Sequence, residues 1–182
     1  MMKIVRAILV FLVIIIFPAM VYFVMESSGA SVITPQEKVV YDLPYPGILP
    51  DHPLYTFKIV RDRISEFLTR DNYKKAQLYL LYSDKRAAMA MNLAKKGKNQ
   101  PAISTFSKGE KYFLNIPTLL TNAKTQGAQA PSSFVETLKL SNAKHGELIL
   151  DLIKKLPEGF QPELEELRKL NLEIKNALER LP

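Results

Sequence analysis

Three patterns of apolar and polar positions divide the 182-residue chain. The first is an apolar run from Ala7 to Met25, interrupted only by Pro18 and preceded by Lys3 and Arg6. The second, ending at His52, has no helical period and collects Pro44, Pro46, Pro50 and Gly47, residues that favour extended or turning backbone. The third begins at Pro53 and repeats apolar residues at steps of three and four, the spacing of one helix face. No strand-like alternation of useful length interrupts it. The expected fold is therefore all-α: a membrane segment (residues 1–30), a proline-rich neck (31–52) and an up-and-down bundle of about five helices (53–182).

Within the bundle the first helix is expected to follow Pro53 and run to about Thr69, capped by Asp51 or His52, with Leu54, Phe57, Val60, Ile64, Phe67 and Leu68 on one face. Asp71 or Asn72 caps a second helix that stops at Gly97. Its Ala76, Leu80, Ser83, Ala87, Ala90 and Ala94 share one side, and Leu78, Tyr82, Met89 and Leu93 another. Two non-polar faces place such a helix between neighbours. A third helix begins near Pro101 with Ile103, Phe106, Phe113, Ile116, Leu120 and Ala123 inward, weakened by Gly109 and kinked by Pro117. Ser133 and Glu136 have capping-box spacing before a fourth, and Leu164, Leu167, Leu170, Ile174, Leu178 and Leu181 form the stripe of a fifth.

The apolar run changes the picture from fold to address. A helix over Ala7–Met25 would rise about 28 Å, close to the roughly 30 Å of bilayer hydrocarbon. Positive charge before it and Glu26 after it predict a cytoplasmic N-terminus and an exported remainder. Two fates remain open: an uncleaved single-pass anchor, or a signal cleaved after Ala30 in the small-residue sequence Ser28-Gly29-Ala30, which would release the bundle as a secreted domain.

Charge adds one asymmetry to a formal net of +7. Residues 53–111 hold thirteen Lys or Arg against five acids, and residues 112–182 hold nine of each. On the second helix Lys74, Lys85 and Lys96 recur every eleven residues and so stay nearly in line, flanked by Lys75 and Arg86. This ridge is a candidate contact for an anionic envelope polymer, a lipid headgroup or an acidic protein face. Nucleic-acid binding is not expected, since aromatic interleaving and known modules are missing.

Little else suggests chemistry. There is no cysteine, no glycine-rich phosphate loop, and no HExxH, GxSxG or SxxK arrangement. His145 falls on the apolar face of the fourth helix, in step with Leu138, Ile149 and Leu152, where a satisfied packing role outweighs a ligand role. Met89 and Met91 point some 200° apart on a helix and read as core filling. No catalytic residue, cofactor or metal is expected.

The run Pro50, Asp51, Pro53, Leu54, Tyr55, Lys58, followed by Ser83-Asp84-Lys85-Arg86, resembles the opening of a bacterial family of exported, membrane-anchored helical domains of unknown function. The resemblance covers residues 44 to about 125. It implies an architecture and an extracytoplasmic address, and no activity. The resulting expectation is a tethered interaction or scaffolding module of the cell envelope; the alternative is a domain that senses a small molecule or metal between its helices.

Overall fold

Helical spacing from Tyr55 to Glu179 produces helices and nothing else in a computed structural model that describes residues 38–181. The helices are α1 (Tyr55–Leu68), α2 (Asn72–Lys95), α3 (Asn99–Leu114), α4 (Ile116–Thr125), α5 (Ser132–Lys155) and α6 (Gln161–Glu179), with a 3-10 turn at Glu158–Phe160. Among the described residues there is no strand, and no helix is long and apolar enough to cross a membrane. The expected span at 7–25, the cleavage point after Ala30 and neck residues 31–37 lie outside the described residues.

Local chemistry explains the boundaries. Asp71 Oδ1 accepts from Lys74 N at 2.7 Å and caps α2. Gly97 (φ 72°) ends α2 in the left-handed conformation, with Gly97 N–H donating to Ala94 O and Lys98 N–H to Leu93 O. Gly127 (φ 83°) ends α4 in the same way. Pro117 separates two helices rather than bending one: α3 stops at Leu114, and Pro117 occupies the first turn of α4, where its missing N–H has no partner to lose. The Ser133–Glu136 capping box does not form, because α5 starts two residues earlier than that cap requires, with Pro131 in the cap position. Nor do Asp51 or His52 cap α1 with a side chain. Leu54 holds the cap position, and its N–H donates to His52 Nδ1 at 3.1 Å.

Helices α2, α3, α6 and α5 form a ring in that spatial order, each packed on the next. Directions alternate along the chain as expected for an up-and-down bundle, but the neighbours differ from a simple meander. Two antiparallel hairpins, α2/α3 and α5/α6, lie side by side with α2 beside α5 and α3 beside α6. Helix α4 makes this possible by carrying the chain along the first half of α2 before α5 begins.

The core is two apolar clusters at different levels. One joins Ala76, Leu80, Phe113, Ile116, Leu120, Leu138, Ile174 and Leu178. The other joins Ala87, Ala90, Ile103, Phe106, Ile149, Leu152, Leu164 and Leu167. Almost every position assigned to an inward stripe of α2, α3, α4 and α6 is buried or half-buried. Helix α1 is the exception. Its apolar stripe faces outward, and the neck from Lys38 onward, a proline-rich stretch with no helical period, is bonded to the bundle.

Candidate functional site

Between the two apolar clusters each ring helix interrupts its stripe with polar residues at one level. Helix α2 supplies Ser83 and Asp84, α3 supplies Glu110, α5 supplies Ser141, Asn142 and His145, and α6 supplies Asn171; all are buried. His145 is the hub. Its Nδ1 lies 2.5 Å from Glu110 Oε1 and its Nε2 3.1 Å from Asp84 Oδ1, while Phe106 and Phe113 meet the ring edge-on. Asp84 Oδ1 also accepts from Ser141 Oγ at 2.6 Å, and Asp84 Oδ2 accepts from the neck, where Tyr41 OH donates at 2.6 Å. Asn171 Nδ2 donates to Glu110 Oε2 and to Asn142 O, and Asn142 Nδ2 donates back to Asn171 O. Gly146 keeps this pair possible, since a Cβ there would sit 3.0 Å from Asn171 Oδ1.

Burial alone would push the imidazole pKa down, but the Glu110 charge and the hydrogen bonds to Asp84 and Glu110 outweigh it and hold His145 at about 9. A protonated histidine lies between two carboxylates whose remaining lone pairs accept from hydroxyl and amide donors. Such a layer sets helix register, because a shift of one turn would bury charge without a partner. Each carboxylate takes a different edge of the ring, and among the described residues no three His, Asp or Glu are placed to hold a metal ion. Nor can a substrate reach it, with His145 and Glu110 sealed from solvent. The lone histidine is indeed satisfied, by ionic partners that apolar periodicity did not reveal. The signal was present as polar breaks in the stripes of α2, α3 and α5, while in α6 Leu170 hid the break at Asn171.

The second feature is α1. Leu54, Phe57, Val60, Ile64, Phe67 and Leu68 form the expected single face, but it points to solvent, with Phe57 73 % and Phe67 77 % exposed. The face turned to the bundle is polar. Asp62 is 5 % exposed and bonded by Lys58 Nζ at 3.1 Å and Arg61 at 2.7 Å. Burial raises Asp62, but these two cations outweigh it and hold the carboxyl below its ordinary range. Tyrosines of the ring complete the attachment: Tyr82 OH donates to Asp62 O, and Tyr79 OH to Glu66 Oε1. Half-burial and the Glu66 carboxylate push the Tyr79 phenol up, so it stays a donor.

The motif residues serve this attachment. Asp51 lies between Lys98 Nζ (2.8 Å) and Lys96 Nζ (3.3 Å), Pro50, Pro53 and Leu54 lead into α1, and Tyr55 and Lys58 begin its inward face. The Lys74, Lys75, Lys85, Arg86, Lys96 series does not form one open ridge. Arg86 is buried beneath Tyr112, Lys96 pairs with Asp51, Lys75 is half-buried, Lys85 borders a recess with Tyr45 and Phe57, and of the five Lys74 alone is both exposed and without an ion pair among the described residues. An eleven-residue repeat kept the lysines in line, but it could not show that the neck and α1 cover that side.

A family model described as a domain of unknown function (DUF5667) matches residues 47–181. It spans α1 to α6 and extends well beyond the stretch that carried the resemblance. No curated protein and no solved structure matches the chain at a significant level.

Proposed function

The chain belongs to the DUF5667 family of domains of unknown function, and from that premise we propose that it is a non-catalytic, membrane-tethered interaction module of the bacterial cell envelope. In this reading residues 7–25 span the membrane, the bundle is extracytoplasmic, and the outward face of α1 rests on the surface of the bilayer that holds the chain. The observation that carries the proposal is the inverted packing of α1: polar side in, apolar side out.

Two further features support it. Arg61 borders the apolar arc on one side and Arg63 on the other, both largely exposed, the arrangement by which an amphipathic helix lies in an anionic interface. The apolar surface also continues into the neck, where Tyr45 and Ile48 line one recess with Leu54 and Phe57.

The chain has no cysteine, so single labels are unambiguous. Full chain reconstituted in vesicles, with an environment-sensitive dye on Phe57→Cys, Phe67→Cys or Lys139→Cys, tests the reading. The first two probes are expected to enter an apolar environment and be quenched by lipid-borne quenchers, more so with anionic lipid, while the third stays in water. Water-exposed probes at 57 and 67 would overturn it. Shielding that persists in detergent and depends on protein concentration would replace the bilayer with a second copy.

A further inference from the structure

We infer that the cleft between α1, α2 and α3 binds a small organic anion, with Arg86 at its base. The cleft measures about 440 Å³, within the range of small-molecule sites. Arg86 is only 9 % exposed, and its guanidinium carbon stands 4.5 Å from the Tyr112 ring centre and 5.6 Å from that of Tyr82. One of its N–H groups donates to Tyr82 O at 3.3 Å. Among the described residues the guanidinium has no other hydrogen bond and no ion pair. Its position is forced from below, where Gly109 lets α3 approach so closely that a Cβ would meet Arg86 Cβ at 3.0 Å and Ser83 O at 3.1 Å.

A guanidinium has five donors, and a buried, unpaired charge is costly unless something compensates it. Ser83 Oγ is the one fully buried side-chain nitrogen or oxygen among the described residues that lacks a partner, so the unused Arg86 donors open onto the cleft. The acids that share the cleft are engaged elsewhere. Asp62 is held by Lys58 and Arg61, and Glu66 accepts from Tyr79 and Tyr112 and pairs with Arg63. Lys108 and Lys111 stand exposed at the rim, without ion pairs among the described residues.

The site therefore offers an unspent fork of donors, two free ammonium groups and an aromatic wall of Tyr55, Tyr79 and Tyr112. Its complement is a carboxylate or phosphate monoester carried on an aromatic or aliphatic body. Planar, bidentate recognition suits Arg86, and the lysines add charge without geometry.

Isothermal titration of the full chain in non-ionic detergent with phenyl phosphate, benzoate, inorganic phosphate and benzylamine tests this. The two organic anions are expected to bind and benzylamine not to. Arg86→Lys keeps the charge but loses the fork and is expected to weaken binding at least about tenfold. The surface variant Lys108→Gln/Lys111→Gln, which leaves the core intact, is expected to weaken it severalfold and to reduce its salt dependence. Absence of binding by either organic anion, or equal affinity in the wild type and both variants, would overturn the site. Inorganic phosphate binding as tightly as phenyl phosphate would overturn the organic body.

Discussion

At the scale of the residue, His145 is the position where chemistry is most constrained. It is protonated in the fold at about 9 and ordinarily titrates near 6.5, so the folded state holds the proton more tightly than the unfolded one. The stability this supplies is complete below about pH 6.5 and is lost as the pH rises through 9, a change on the order of 3 kcal/mol for one fully coupled group. Urea denaturation at intervals from pH 6 to 9.5 should therefore show a falling midpoint in the wild type and a flatter profile in His145→Gln. The slope rather than the level is the readout, because that variant also leaves Glu110 and Asp84 short of a donor and will be less stable throughout. Equal slopes would mean that His145 is not the titrating group.

At the scale of the element, α1 and the ring helices obey the same apolar spacing and opposite packing rules. Phe67 on α1 meets solvent while Phe106 on α3 is fully buried, so equal truncations should have unequal costs. Phe106→Ala is expected to lose about 3–5 kcal/mol, and Phe67→Ala to stay within about 0.5 kcal/mol in detergent-free folding measurements of the extramembrane signal. A comparable loss at both would place the Phe67 face against protein. This contrast also marks what was legible in the sequence. Asp71 and Gly97 announced the ends of α2 because caps act within one turn, whereas Pro117 read as a kink and in fact begins a new helix. The inward stripes of α2, α3 and α6 were legible because burial and period coincide there. The outward turn of α1 was not, since a period shows that a face exists and says nothing of which side meets the bundle. Asp62, Glu66 and the tyrosines that reverse α1 act across 13 to 20 or more residues of separation. The Arg86 cleft was hidden for the same reason: its cation looked like part of a surface ridge until Tyr112, from another helix, was seen to cover it.

At the scale of the whole molecule, the neck is the unexpected structural member. A proline-rich, acidic stretch reads as a spacer, yet from Lys38 onward it is tied across the bundle. Val39 N–H donates to Glu147 Oε2 at 3.0 Å, Tyr41 reaches Asp84 in the polar layer, Leu43 packs on the second apolar cluster, and Asp51 is clamped by two lysines. Tension on the neck therefore acts on the same carboxylate that holds His145 and Ser141, so the strap and the core polar layer are expected to open together. Burial and Asp84 push the Tyr41 phenol well above its ordinary range, and it remains a donor at any physiological pH. Replacing it tests the coupling. Tyr41→Phe keeps the ring and removes one proton donor, leaving Asp84 Oδ2 unpaired at a cost of about 1–3 kcal/mol. Hydrogen exchange in that variant should rise at Val39 and across residues 38–43, and also in the middle of α5 around His145, while α1 and the ends of the ring helices keep their protection. Tyr45→Phe, at an exposed neck position, should change none of these. If Tyr41→Phe loosens the neck alone and leaves exchange around His145 unaltered, the strap is held by the core without reporting on it, and tension on the neck would have no route into the bundle.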